Sequence, residues 1–167
     1  MSLAKKIQVA VSTVQGSVSA ATSPHPVSAC EGRRQASCKI LQSGAMAVSL
    51  TELSLQSDEL AAVSIGTLRD ASQTLCRRLT YLLEPISPVE ADTEKCVVQM
   101  RSNPPQADDN GLRYYELLIE RGGAVTLHRY EKSPDHPRTQ VSATMTHEVL
   151  GRLIDDFNAA VDGIVSG

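Results

Sequence analysis

Aromatic residues are the scarcest class in this chain. It has no tryptophan, one phenylalanine (Phe157) and four tyrosines among 167 residues. A folded interior therefore has to be filled by leucine, valine, isoleucine, alanine and methionine. Three of the four tyrosines fall between residues 114 and 130, so one short stretch holds most of the aromatic surface.

Long apolar runs and an overall positive charge are also missing. No run approaches the roughly 20 apolar residues that a membrane-spanning helix needs, so we expect no membrane insertion. Residues 1–45 carry five basic groups and one acidic group, whereas residues 46–167 carry 11 basic and 18 acidic groups, a net of −7. Because an acidic body repels phosphate backbones, we do not expect nucleic acid as a partner.

Motifs of catalysis and metal binding are absent from the sequence as well. It contains no phosphate-binding glycine loop, no GxSxG, no HExxH and no EF-hand pattern. Its four cysteines form no CxxC pair, have no histidine at metal-ligand spacing, and are too sparse for a disulfide framework. We therefore expect reduced, packed thiols in a cytoplasmic protein, with no cofactor, no metal site and no assigned catalytic residue.

The N-terminal segment, residues 1–45, shows no sustained apolar period of either a helix or a strand. Its Pro-containing stretch 23–26 is typical of unpacked chain. We predict a disordered or poorly packed tail over 1–45, followed by a single α+β domain over 46–167. Three interpretations of residues 1–45 compete: a secretory signal, whose apolar stretch is interrupted by polar residues; a Ser-rich, acid-poor transit peptide, which fits better; and a translation start at Met46, which makes the segment a tail or an over-extended gene prediction.

Two amphipathic helices are predicted in the second part of the chain. The first begins at Thr67, a candidate N-cap, and ends near Thr80; the second follows Thr146, an N-cap with Glu148 in the first turn. Apolar residues recur in both at spacings of three and four, the pattern of a helix with one buried side. These residues are Leu68, Ala71, Leu75, Leu79 and Leu82 in the first helix, and Leu150, Leu153, Ile154, Phe157, Val161 and Ile164 in the second.

Strands are predicted between and before these helices. The best of them form a hairpin, Leu112–Arg121 and Ala124–Lys132, around Gly122-Gly123. A two-residue loop there pairs Tyr115 with Tyr130 and Leu117 with His128. Further strands are predicted at 48–56, at 82–92 as an irregular or edge strand because of its prolines, at 95–102 and at 138–146.

The order helix, strands with short connections, helix predicts the α+β class. We expect a two-layer sandwich, an antiparallel sheet of four or five strands with the N-terminal and the C-terminal helix packed on one face. Over residues 67–165 this layout resembles the secretion-chaperone-like and frataxin-like architectures. The resemblance is one of element order, so we carry over no functional residue and no activity from either.

One cluster stands out as a candidate site. The predicted pairing places Tyr115, His128 and Tyr130 on one face of the sheet, an arrangement that suits either a ligand pocket with proton transfer or an interior cluster. The favoured hypothesis is a small acidic, non-catalytic interaction or scaffold module that binds a protein partner, or a second copy of itself, through its sheet face or an edge strand. The alternative is a small ligand-binding protein or enzyme with a pocket around those three residues.

Overall fold

The computed structural model describes residues 1–14 and 23–167. Within them the chain forms an α+β protein in which three helices cover one antiparallel sheet of ten strands. The helices are α1 (Leu3–Thr13), α2 (Ile65–Arg78) and α3 (His147–Ser166), with a 3-10 turn at Asp58–Leu60. The strands are β1 (His25–Glu31), β2 (Arg34–Ser43), β3 (Ala47–Ser57), β4 (Ile86–Asp92), β5 (Val97–Ser102), β6 (Gln106–Asp108), β7 (Gly111–Glu120), β8 (Ala124–Lys132), β9 (Thr139–Val141) and β10 (Ala143–Thr146).

The sheet has the strand order β1-β2-β3-β8-β7-β5-β4, with β6 paired to β7. Strands β3 and β8 pair only over residues 53–56 and 124–127. Beyond that stretch β9 pairs with β8 and β10 pairs with β3, so residues 139–146 bridge the two strands. The predicted edge strand near Pro88 is confirmed as β4, which has an irregular register between Pro88 and Glu90.

The predicted α+β class with an antiparallel sheet is confirmed, but the sheet is larger than the four or five strands expected and a third helix is present. The extra elements α1, β1 and β2 come from the segment expected to be a poorly packed tail. That expectation is corrected for residues 1–14 and 23–45, while residues 15–22 lie outside the described part. Helix α1 buries Leu3, Ile7 and Val11, and its N-cap Ser2 accepts a hydrogen bond from the Lys5 backbone.

The core lies between the sheet and the helices. Because β-strand side chains alternate, one face of the sheet presents aligned rows of buried apolar residues. One row consists of Cys38, Leu53, Leu127, Leu117 and Met100 from five neighbouring strands; the next consists of Ala36, Leu55, Val125, Ile119 and Val98. Helix α3 packs between α1 and α2, so the three helices form a single layer over these rows.

The two predicted helices are confirmed with small shifts. Helix α2 begins slightly earlier than expected, because Ser64 rather than Thr67 accepts the capping hydrogen bond. Helix α3 has the predicted N-cap, since the Thr146 side chain accepts from the Val149 backbone. All but one of the residues of the predicted α3 stripe are buried, and Ile164 is partly buried against the core.

The β7–β8 hairpin has a different register from the one predicted. Glu120 pairs with Ala124, which leaves a three-residue loop, Arg121 to Gly123. The Gly123 amide donates to the Glu120 carbonyl at 3.1 Å, and Gly123 has a φ of +106°. A turn followed by a positive-φ residue is a common way to close a three-residue hairpin loop. The one-residue shift changes which side chains share a face.

We expect the N-terminal helix to be necessary for stability. Replacing Ile7, which is fully buried, with alanine should lower the free energy of unfolding by about 2–5 kcal/mol, because the cavity cannot close completely. Val9→Ala is the matched control on the same helix: Val9 is 44% exposed, so its change should stay within about 0.5 kcal/mol. Urea unfolding followed by circular dichroism measures both, and equal midpoints for the two variants would contradict the packing of α1.

The loop glycines provide a test of the hairpin register. Gly123→Ala should destabilise the protein by about 1–3 kcal/mol, because the residue has positive φ and a Cβ there would lie 3.1 Å from the Ser57 carbonyl oxygen. Gly122 has neither feature, so Gly122→Ala should be close to neutral. A two-residue type I′ loop would need positive φ at both positions, and thermal unfolding that penalised both alanines alike would favour that loop instead.

Candidate binding surface on the uncovered face of the sheet

The face of the sheet opposite the core rows is the candidate functional surface. It carries polar, charged and tyrosine side chains, and no helix of the described residues packs against it. Ser54, Thr126 and Leu118 are aligned at its centre. An antiparallel sheet commonly leaves one face open to solvent in this way. We call this the uncovered face.

A row of charged side chains crosses the uncovered face, one from each of five neighbouring strands: Lys39, Glu52, His128, Glu116 and Arg101. The His128 Nε2 atom lies 2.9 Å from Glu52 Oε2, and Lys39 Nζ lies 3.7 Å from the same oxygen. Glu52 therefore lies between Lys39 and His128, and Glu116 lies between His128 and Arg101. Neighbouring groups of opposite charge on adjacent strands stabilise a sheet.

Beside the charged row, two tyrosines and two arginines form a second array, which we call the Arg–Tyr row. The rings of Tyr114 and Tyr130 face each other across β7 and β8 with centroids 5.9 Å apart. The Arg138 guanidinium lies 3.9 Å above the Tyr130 ring, and that of Arg101 lies 5.6 Å above the Tyr114 ring. Cations over aromatic faces at these distances are attracted by the ring quadrupole.

Glu116 is buried although it lies on the uncovered face. Its carboxylate accepts hydrogen bonds from Gln99 Nε2 at 2.7 Å and from Arg138 Nη1. Arg138 reaches it from the turn before β9, and the Tyr114 hydroxyl and this carboxylate raise the pKa of the guanidinium. Burial raises the pKa of the Tyr130 phenol, and the Glu116 charge adds to that effect. At neutral pH the surface therefore presents a charged guanidinium and a neutral phenol.

The structure separates the three residues predicted to form a site. His128 and Tyr130 lie together on the uncovered face, with ring centroids 6.2 Å apart. Tyr115 instead pairs with Arg129 and points to the core side, because the actual loop is one residue longer than predicted. Tyr114 takes its place next to Tyr130. The sequence signal that could have found this is the second glycine, which can supply the positive φ that ends a three-residue loop.

A cavity of about 450 Å³ lies beside Tyr115, on the helix side of the sheet. Its walls are mainly apolar and include Leu82, Leu83, Pro85, Pro104 and Pro105. Its polar groups are already engaged with one another. Arg129 Nη2 donates to Glu84 at 3.0 Å, Ser102 Oγ donates to the same carboxylate at 2.6 Å, and the Arg129 guanidinium lies 4.3 Å above the Tyr115 ring.

Both charged side chains of this cavity are nearly buried, with 10% of Arg129 and 12% of Glu84 exposed. Burial is the main cause of the raised pKa of the Tyr115 phenol. A buried ion pair with its hydrogen bonds satisfied fixes the surrounding backbone and leaves little for a ligand to bind. We therefore interpret the Glu84–Arg129 group as a structural network under β7.

Known proteins add no functional assignment, because no protein-family model, no curated protein and no solved structure matches this chain. Within residues 1–14 and 23–167 there is no group of three or more histidine, cysteine, aspartate or glutamate side chains able to hold a metal ion. Over the same residues no helix is both long enough and apolar enough to cross a membrane. The geometry of the uncovered face is therefore the main guide to function.

We expect Glu116 and Arg138 to be energetically coupled. In a double-mutant cycle with Glu116→Gln and Arg138→Gln, the interaction energy should be about 1–3 kcal/mol, because the carboxylate is buried and depends on this partner. The Arg113–Glu131 pair of the same hairpin is the control: it is more exposed, so its cycle should give under about 0.5 kcal/mol. Denaturant unfolding of the six variants and the wild type measures both cycles. Equal coupling energies would show that Arg138 does not hold Glu116.

Proposed function

We propose that this protein is a non-catalytic interaction module that binds a partner protein on the uncovered face of its sheet. The observation that carries the proposal is the Arg–Tyr row, in which Tyr130, Arg101 and Arg138 reach solvent around the buried Tyr114 on a face without a covering helix. Tyrosine and arginine are the residue types that most often dominate binding energy at protein interfaces. Held rigidly by neighbours, they lose little conformational freedom on binding.

The polar groups of the uncovered face are already hydrogen bonded to one another, which favours binding over catalysis. His128 is hydrogen bonded to Glu52, and Glu116 lies beneath Arg138 and Gln99. Each group that could move a proton therefore already has a partner, and the raised pKa of Tyr130 keeps its phenol protonated. General acid–base groups usually converge on a cleft where substrate is held, whereas these side chains spread along a row across the strands.

The uncovered face is also favoured over the two sheet edges. At the β1 edge Pro26 lacks an amide donor, and the Cys30 carbonyl accepts a hydrogen bond from Lys6 Nζ at 3.1 Å. At the β4 edge Pro88 and the irregular register next to Glu90 interrupt the ladder. Prolines, lysines and irregularities are common devices against pairing of edge strands with other chains.

We further propose a cytoplasmic location and a protein partner, which includes a second copy of this chain. All four cysteines are free, and burial raises the pKa of the Cys38 thiol to about 12. Such thiols suit a reducing compartment. The net charge of −3 supports a protein rather than nucleic acid as the partner.

Site-specific photo-crosslinking tests the proposed function. A photoreactive amino acid is placed at position 140, opposite Tyr130 on the uncovered face, and in a matched variant at position 73 on the outer side of α2. In cells that express the chain, we expect a discrete protein adduct from position 140 and none from position 73. Adding Tyr130→Ala should lower the yield from position 140 severalfold, because loss of an interface tyrosine reduces affinity by about tenfold or more. Equal labelling from both positions, or no adduct from position 140, would refute the proposal.

A further inference from the structure

We infer that Asn110 is a site of spontaneous deamidation, in which the backbone nitrogen of Gly111 attacks the Asn110 side chain and ammonia is released. Asparagine is among the chemically labile residues of proteins. The inference does not depend on the proposed function. It follows from the exposure of the β6–β7 connection, from the freedom of the Asn110 side chain, and from the glycine that comes next.

Asn110 lies in the two-residue connection between β6 and β7, since Asp108 pairs directly with Gly111. Residues 106 to 110 are all exposed to solvent. The Asn110 backbone nitrogen donates to Asp108 Oδ1 at 2.8 Å, whereas its side-chain amide has no hydrogen bond to the described residues. Exposed loop tips are the parts of a fold that change conformation most easily. The side chain can therefore turn toward the following backbone nitrogen without breaking a contact.

The Gly111 nitrogen is the nucleophile of the reaction. Glycine has no side chain to hinder the approach of its nitrogen to Asn110 Cγ, and Gly111 has a φ of +146°, which other residues rarely adopt. Its N–H donates to Asp108 Oδ1 at 3.1 Å, so a carboxylate is within reach of the proton that the nitrogen loses. The two reacting groups belong to neighbouring residues, and such proximity accelerates a reaction strongly.

The reaction needs water as its only other reactant. The Gly111 nitrogen forms a bond to Asn110 Cγ, the bond from Cγ to the side-chain nitrogen breaks, and the proton from Gly111 leaves with that nitrogen as ammonia. Water then opens the cyclic succinimide at either of its carbonyl groups, which gives aspartate or isoaspartate. Both products add one negative charge to a chain whose net charge is −3.

Isoaspartate also changes the backbone, because the chain then passes through the side chain and gains one methylene group. The neighbouring structure leaves little room for this change, since a Cβ placed on Gly111 would collide with the Lys132 carbonyl oxygen. Strand β6 is held to β7 by three residue pairs, and the last of them is Asp108 with Gly111. Isoaspartate at position 110 therefore loosens β6, whereas aspartate in the normal linkage leaves the pairing unchanged.

The other two asparagines of the chain are internal controls. Asn103 precedes Pro104, whose nitrogen has no hydrogen to lose, so the neutral succinimide cannot form there. Asn158 lies within α3, and its Oδ1 accepts a hydrogen bond from Arg34 Nη1 at 3.3 Å. The helix also engages the amide that would have to attack Asn158. Deamidation should therefore be confined to Asn110.

Mass spectrometry of the aged full chain provides the test. The protein is incubated at physiological temperature in mildly alkaline and in mildly acidic buffer, and the peptides that contain each asparagine are compared. Methylation by protein isoaspartate methyltransferase identifies isoaspartate. Asn110→Gln is the matched variant, because its longer side chain would have to close a larger ring. Asn110→Asp carries the added charge without the backbone change, and amide hydrogen exchange of residues 106–108 reports the state of β6.

We expect Asn110 to be modified at least about tenfold faster than Asn103 or Asn158. The reaction should be faster in the alkaline buffer, because the nucleophile is the deprotonated amide, and Asn110→Gln should stay unmodified. Hydrogen exchange in β6 should be faster in the aged protein than in fresh protein or in Asn110→Asp. Modification of Asn110 no faster than that of Asn158 would overturn the inference. Unchanged exchange in β6 of the isoaspartate form would overturn the structural consequence.

Discussion

The register of the β7–β8 hairpin determines which side chains each face of the sheet carries. Its three-residue loop ends at Gly123, whose positive φ lets the chain return to the ladder with Glu120 opposite Ala124. That pairing sends Leu117 and Leu127 toward the helices together and leaves the even-numbered positions of both strands on the other side. Because side chains alternate with a period of two, a shift of one residue on either strand would break both sets at once.

The helix layer then determines which of these two sets is exposed. Helix α3 contacts both α1 and α2, so all three helices lie on the same side of the sheet. The other side of the sheet is left without a helix layer among the described residues. Burial of the aligned leucine, isoleucine and valine rows by the helices supplies the main stabilising term. The uncovered face contributes through cross-strand ion pairs and ring contacts, which are individually weak but position one another. The main stabilising contacts and the proposed binding surface therefore lie on opposite faces of the same strands.

The sequence was most informative where one strong periodic pattern had local capping support. Helix α3, with its Thr146 cap and long apolar stripe, could be predicted almost residue by residue. The sequence does not predict helix α1, because its buried side consists of just four residues, Leu3, Ala4, Ile7 and Val11, interrupted by Lys5, Lys6 and Gln8. Whether so short a helix forms depends on tertiary contacts, and a local sequence pattern does not contain them. The hairpin was located correctly, but two adjacent glycines permit loops of either two or three residues.

Arg129 and Glu116 lie one position apart in the hairpin register and therefore on opposite faces of the sheet. Each forms an ion pair, and the two ion pairs differ in how their charges are buried. Glu84 and Arg129 are both almost withdrawn from solvent, and Glu84 also accepts a hydrogen bond from Ser102, so the two charges cancel locally. Glu116 and Arg138 make a closer contact, 2.5 Å against 3.0 Å, yet only the carboxylate is buried. The desolvation penalty therefore falls on the anion, while the cation keeps free donors in solvent. An asymmetrically buried pair positions its exposed member without neutralising it, whereas the Glu84–Arg129 pair beside the Tyr115 cavity presents little charge to solvent.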